Sequence, residues 1–414
     1  MVCVSSAPPT VGAAEPDRAF RTPVAQGSAA ARSAVSADAL RSGLARYLAG
    51  AGGRSGAWVL DDASGEVIFQ SGAGRRLQLA SNTKLFTTAA ALDRLGAGGR
   101  LETTVWTAES AVSGVLDGDL YLVGDGDPSL ASASYARKHN VPLTSLASLA
   151  KHVRKAGIRR VKGKLRIDAT VFDRRRGTGV GGWSTYIGPL SGLIYNSGSG
   201  GGDPAMAAGR AFERYLRKAG VRVRGVVRGK LPGALRDEDP IATERSLEIA
   251  RLVDETNETS NNFFAEMLLK RLAAGESERG TTRGGAARSR RIARELGARV
   301  HQRDGSGLSR SNRAAPKDVG ELLAAMLDHQ AAHAFMVSLP VAGREGTVRN
   351  RMRGTAAQGE CRAKTGTLSG VSALSGYCGD GDRPVVFSIL MQGVELGAAH
   401  SIQDRAAALI ARYG

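Results

Sequence analysis

The chain has 414 residues, 42% of them hydrophobic and 23% charged, which is enough apolar material for two or three packed domains and too much for a disordered or collagen-like chain. Lys and Arg number 57 against 39 Asp and Glu, a formal charge of +18 that favours polyanionic surroundings such as nucleic acid, anionic lipid or an acidic wall polymer. Aromatic residues make up only 5%, which argues against a base-stacking nucleic-acid surface, and no run approaches the ~18 apolar residues of a membrane helix. The charge is mostly Arg scattered along the chain, with short clusters at Arg174–Arg176 and Arg288–Arg291, a pattern that a merely solubilising surface also produces.

Residues 1–36 read as a disordered leader, rich in Ala, Pro and Ser and without the apolar stretch of a secretory signal. Ser36 then precedes a helix with Leu40, Leu44 and Leu48 on one face. A hairpin follows, Ala57–Leu60 and Glu66–Phe69 around Ala63-Ser64-Gly65, and then a helix over about Asn82–Leu95. From about Leu101 the pattern changes to short strands at Thr103–Thr107 and Leu120–Val123. A helix is expected over Ser145–Ala156, a strand over Lys164–Ile167, and a glycine-rich loop from Gly177 to Gly202. A further helix, Pro204–Lys218, leads into a strand at Val221–Val227. Residues 241–414 return to long helices, with a hairpin at 361–378, a strand at 384–391 and a last helix. This divides the chain into a leader (1–36), a domain split between 37–102 and 241–414, and an inserted domain at 103–240.

Several chemical readings fail on spacing. Gly157–Lys164 is one residue too long for a phosphate-binding loop, and Leu165 stands where that loop needs Ser or Thr. His329 and His333 sit at i, i+4 but no third metal ligand is evident, and Asp117, Asp119, Asp125 and Asp127 lack calcium-loop spacing. No metal site is expected. Ser81-Asn82-Thr83-Lys84 puts a lysine one turn after a serine at a helix start. Alone it is weak, because helix-start serines are usually caps and Ser148–Lys151 matches the same spacing. Ser260-Asn261-Asn262 precedes an apolar helix, where capping is again the simpler role. Lys364-Thr365-Gly366 opens a strand.

Together and in this order, these three motifs are the set of β-lactamases and penicillin-binding proteins. With Gly124-Asp125-Gly126-Asp127-Pro128-Ser129-Leu130, Asp304-Gly305-Ser306-Gly307-Leu308-Ser309, Leu339-Pro340-Val341-Ala342-Gly343 and Gly346-Thr347, the chain from about 38 onward resembles the class C low-molecular-mass penicillin-binding proteins. These are serine D-Ala-D-Ala carboxypeptidases that often act as endopeptidases on peptidoglycan cross-links. The long insertion between Ser81 and Ser260 is a hallmark of that group, although it is too short here for the small nested domain of larger members.

The resemblance implies an α+β fold: a penicillin-binding/β-lactamase-like transpeptidase domain, with an antiparallel sheet flanked by helices, carrying an inserted second α/β domain. It implies that Ser81 is the nucleophile and Lys84 its base, with Lys84 neutralised by burial, the helix dipole and the nearby Lys364. Ser260 would relay a proton to the leaving amine, and Asn262 would hold Lys84 and the substrate amide. Lys364 and Thr365 would bind the terminal carboxylate on an edge strand open to an extended peptide. Gly366 would clear space for that peptide, and the N–H groups of Ser81 and Thr367 would form the oxyanion hole. The implied partners are peptidoglycan stem peptides and cross-links, β-lactams as acylating inhibitors, and anionic wall polymers, with no nucleic acid. No cofactor is implied. The location is extracytoplasmic, with the export signal not visible in this chain. A class A β-lactamase fits less well, lacking a Glu-x-x-Leu-Asn segment; a non-catalytic wall-binding scaffold is the alternative of another class.

One expectation comes from spacing. If Ser369-Gly370 is a two-residue hairpin loop, Cys361 faces Cys378 at a non-hydrogen-bonded pair, where Cα atoms lie closest, ~4.5 Å apart. That suits a disulfide in an oxidising compartment.

Overall fold

The structure, a computed structural model, describes residues 35–52, 54–177, 187–275, 278–379 and 384–413. The expected leader lies outside them apart from Val35 and Ser36, as do residues 178–186 of the glycine-rich loop. Ser36 Oγ accepts from Ala39 N–H at 3.2 Å and caps the helix Ala37–Ala49, whose Leu40 and Leu44 are buried.

Five antiparallel strands form the central sheet in the order Cys361–Leu368, Val371–Cys378, Val385–Gln392, Arg54–Asp61, Glu66–Ser71. Side chains alternate between its faces. Ala57, Val59, Phe387 and Ile389 pack with Leu40, Leu44 and Ile410 of the first and last helices, Ala37–Ala49 and Leu396–Ile410. Trp58, Val386 and Leu390 pack on the opposite face among residues of the helices Thr83–Leu95, Asn262–Ala273 and Pro316–Leu327. Helices thus cover both faces, and the strand Cys361–Leu368 stays at the edge.

A second five-stranded sheet belongs to the insertion. Its order is Ala242–Arg245, Glu102–Trp106, Leu120–Gly124, Leu165–Asp168, Val226–Arg228. The first three strands are antiparallel and the last two pair in parallel. The helices Leu146–Lys155 and Pro204–Lys218 bury Leu149, Val153, Phe212 and Leu216 against it in a core of their own. The sheet reaches Arg245, past the position 240 read as its end. The strand expected over Val221–Val227 is broken: Arg222 bridges Arg160, Gly225 turns at φ +113°, and the regular strand begins at Val226. Two ion pairs tie this unit to the helix Asn262–Ala273: Lys270 Nζ with Asp173 at 2.5 Å, and Arg271 Nε with Asp125 at 3.0 Å.

Across the Ser369-Gly370 turn, Leu368 pairs with Val371 and Cys361 with Cys378. The two cysteines are disulfide-bonded, with Cα atoms 4.1 Å apart, and both are buried beneath the last helix. The bond closes the hairpin that carries Lys364. Thiol counting on the denatured, unreduced protein should find one of the three cysteines free, mapped to Cys3; three free thiols would exclude the bridge. Replacing both bonded cysteines by serine should cost about 3 kcal/mol in urea unfolding.

Candidate active site

Ser81 sits on a single 3-10 turn, Ala80–Asn82, that runs into the helix Thr83–Leu95. Ala80 before it adopts φ +45°, unfavourable for a residue with a Cβ. Asn82 fixes the turn to the sheet: its Nδ2 donates to Lys364 O at 2.9 Å, and its Oδ1 accepts from Ser375 Oγ at 2.7 Å. Gly307, at φ +93°, presses on the turn from the other side, and a Cβ there would lie 1.9 Å from Ala80 O. Ser81 is therefore held by packing and makes no capping bond.

Lys84 has no exposed surface. Its Nζ lies 2.7 Å from Asn262 Oδ1, 2.6 Å from Ser306 O and 3.0 Å from Ser81 Oγ. Burial pushes its pKa down to about 7, against the opposing attraction of Glu266 and Asp304. A neutral amine carries two hydrogens and one lone pair. Asn262 Oδ1 and Ser306 O can only accept, so they take the hydrogens, and the lone pair is left to the Ser81 hydroxyl. Lys364 is also fully buried, and its pKa is driven well below the usual lysine value by burial and by repulsion from Lys84. Its Nζ donates to Thr365 O at 3.1 Å.

Support for this arrangement comes from the Asp304–Ser309 segment and from Glu266, which no motif marks. Glu266, one turn after Asn262, accepts from the N–H groups of Gly305 and Ser306 at 3.0 and 2.8 Å, which fixes the carbonyl facing Lys84. Burial and the neighbouring Asp304 raise its pKa to about 8. Asp304 in turn accepts from Gly307 N–H, Ser309 N–H and Asn312 Nδ2 at 2.9, 2.7 and 2.6 Å. The available signal was a Glu within the apolar run Phe263–Leu272, where only a paired or neutral carboxyl is tolerated.

On the edge strand, the two-residue turn makes Leu368/Val371 a hydrogen-bonded pair, so Thr367 and Thr365 fall at non-hydrogen-bonded positions. Their main-chain groups face the open edge, as do Ala363 N–H and Cys361 O, which bond Pro340 O and Ala342 N–H. Gly366 also has a task within the fold. The missing Cβ would lie 2.6 Å from Leu79 O and 3.1 Å from Asn82 N, so the glycine makes room for the turn carrying Ser81.

Ser81, Ser260, Thr347, Arg351, Thr365, Thr367 and His400 line one pocket of about 270 Å³. Ser260 holds φ +60°, and the capping role open to it falls instead to Asn261, whose Oδ1 accepts from Phe264 N–H at 3.2 Å. Thr365 Oγ1 donates to Thr347 Oγ1 at 2.8 Å. The decoy Ser148 lies on a helix of the insertion beside an exposed Lys151. His329 contacts Asp93 at 3.5 Å, and no metal-binding cluster occurs among the described residues. A larger cavity of about 740 Å³ is bordered by Arg94 and Arg271 at the C-terminal ends of the helices that begin near Ser81 and Asn262, and by Asp168 of the inserted sheet. None of the three motifs reaches it.

The D-Ala-D-Ala carboxypeptidase 3 (S13) family model matches residues 44–200 and 200–413. A D-alanyl-D-alanine carboxypeptidase from an Actinomadura species is 32% identical over 453 residues, spanning 87% of this chain and 82% of the relative. The carboxypeptidase DacB of Mycolicibacterium smegmatis is 28% identical, over 80% of this chain and 75% of its own. Among solved structures, penicillin binding protein 4 of Haemophilus influenzae superposes with a TM-score of 0.72 at 21% identity, covering 88% of this chain and 97% of that one. That protein has also been solved in complex with a β-lactam.

The Lys84 amine is expected to titrate near pH 7. NMR of lysine labelled with nitrogen-15 should show a side-chain transition there that is absent from Lys84→Met. Titration near 10 would contradict the burial argument.

Proposed function

The chain belongs to the D-Ala-D-Ala carboxypeptidase 3 family and is a serine-type D-Ala-D-Ala carboxypeptidase, and from that premise we propose how its residues divide the work. Ser81 Oγ attacks the carbonyl carbon between two D-alanines while its proton passes to Lys84 Nζ. The oxygen of the tetrahedral intermediate is met by the N–H groups of Ser81 and Thr367, a contribution of ~3 kcal/mol per donor. When the intermediate collapses, the C–N bond breaks and the proton moves from Lys84 through Ser260 to the leaving amine. Water then hydrolyses the Ser81 ester, with Lys84 again as base. Asn262 and Ser306 O keep the amine aimed, and burial keeps it able to lose its charge near neutral pH.

The observation that carries this reading is the Lys84 environment: two pure acceptors, one hydroxyl and a pKa lowered to about 7. The free edge at Thr365 and Thr367 supports binding of an extended stem peptide by strand addition. The same acylation serves a cross-link, where the leaving amine belongs to a neighbouring stem, so we extend the proposal to DD-endopeptidase action. β-Lactams would acylate Ser81 by the same attack. Such substrates lie outside the cytoplasmic membrane, so the chain acts there. None of the described helices is long and apolar enough to cross a membrane. The charge of +18 favours adhesion to anionic wall polymer that weakens as salt rises.

Ser81→Ala should abolish D-alanine release, a loss of more than ~10³-fold, together with covalent labelling by benzylpenicillin. Ser148→Ala should leave both intact. Peptide mapping by mass spectrometry decides the point, since a penicilloyl adduct on any residue but Ser81 would sink the assignment. The pH profile gives a separate check. Only unprotonated Lys84 accepts the proton, and its pKa is lowered to about 7, so kcat/KM should be full above that value and fall about tenfold per pH unit below it. A profile flat down to pH 5 would remove Lys84 as the base.

A further inference from the structure

The leaving D-alanine carries a carboxylate one residue beyond the bond that breaks, and an anion entering a half-enclosed pocket needs a charged partner there. The family resemblance assigns that task to Lys364 and Thr365. Lys364, however, is fully buried, spends a hydrogen on Thr365 O, and when charged repels Lys84. It does not line the pocket.

Two of the pocket-lining side chains can be cations, Arg351 and His400. Burial, with the charge of Arg351 beside it, pushes the His400 pKa down, so the imidazole is neutral at pH 7. Arg351 is different, because a guanidinium is charged wherever a protein is folded. Its side chain is 11% exposed. Nε and Nη2 both donate to Asp404 Oδ1, at 2.9 and 2.6 Å. Nη2 also donates to Gln403 Oε1 at 3.1 Å and to His400 O at 3.3 Å. Nη1 has no hydrogen-bond partner among the described residues. The group is therefore fixed on one side by the last helix and leaves two N–H donors on the side that remains. Its orientation is set before any ligand arrives, so binding forfeits little side-chain freedom. Thr365 and Thr347 line the same pocket, and because the Thr365 hydroxyl donates to Thr347, the Thr347 hydroxyl hydrogen is left as a further short-range donor.

We infer that Arg351 binds the carboxylate adjacent to the scissile bond through Nη1 and makes the site selective for peptides with a free acid there. The inference rests on the carboxypeptidase reading above. It extends to cross-links, where the amine-bearing carbon of the leaving stem must then carry a free carboxylate. The competing role for Arg351 is a clamp that only anchors the last helix through Asp404.

The test uses two synthetic peptides, diacetyl-L-lysyl-D-alanyl-D-alanine and its C-terminal amide, with the full chain and with Arg351→Gln and Arg351→Lys. The unmodified protein should favour the free acid. In Arg351→Gln, kcat/KM for the acid should drop roughly 30- to 100-fold, mainly through KM, and the acid-to-amide ratio should collapse toward one. Arg351→Lys should restore part of the ratio. The ratio is internal to each folded protein, so a general loss of stability leaves it in place. Should Arg351→Gln not fold, Arg351→Lys is read in the same way, with a ratio lower than that of the unmodified protein expected. A parallel loss on both peptides with the ratio retained would make Arg351 a clamp and overturn the inference, as would an unmodified protein indifferent to the amide. If the unmodified protein releases no product from either peptide, it is the functional reading that fails.

Discussion

The Lys84 amine is held by three oxygens and has no contact with solvent. Taking an ammonium group out of water costs several kcal/mol unless ionic partners compensate. Here the two carboxyls that attract it, Glu266 and Asp304, do not offset the burial, and the charge becomes optional near neutral pH. What remains is a base with its lone pair aimed at one hydroxyl. Any loosening that admitted water would restore the ordinary lysine pKa and remove the base at working pH.

Much of the surrounding structure exists to keep that amine dry and aimed. Asn262 comes from the start of one helix, Ser306 from a loop pinned by Glu266, and Ser81 from a turn wedged between Gly307 and Gly366. Ala80 and Ser260 hold positive φ angles that L-residues avoid. Strain of this kind, ~1–3 kcal/mol per residue, persists only where packing over-determines it. The disulfide behind Lys364 and the ties of Asn82 to Lys364 O and Ser375 add to that over-determination.

The insertion has its own sheet and its own core, while its Phe172, Leu190 and Ile194 pack into the apolar core beside the catalytic sheet. Charged contacts at Lys270 and Arg271, near the end of the helix that starts with Asn262, add to that apolar junction. Lys270 also lies 5.3 Å from the centre of the Phe172 ring. The insertion thus braces the far end of a helix whose near end belongs to the site.

Local pattern was enough for the elements that local physics controls. Short apolar runs around a turn marked the first hairpin of the sheet, a serine cap marked the first helix, and a two-residue turn set the register that pairs Cys361 with Cys378. The three motifs marked Ser81, Lys84, Ser260, Asn262 and Lys364 through their resemblance, as an ordered set, to those of β-lactamases and penicillin-binding proteins. The limits of local pattern show equally in particular residues. Glu266 and Ser306 lie far from Lys84 in sequence, and nothing local says that their loop and helix close over one amine. Gly366 reads as clearance for a ligand, whereas the turn it admits comes from the other end of the chain. Arg351 lies outside every motif, and only the packing of the last helix leaves one of its nitrogens free beside Thr365. Sequence determined the chemical groups and the strand register, since both depend on residue type and short spacing. Tertiary structure decided the charge states and the free donors, since those depend on which distant atoms exclude water from each group.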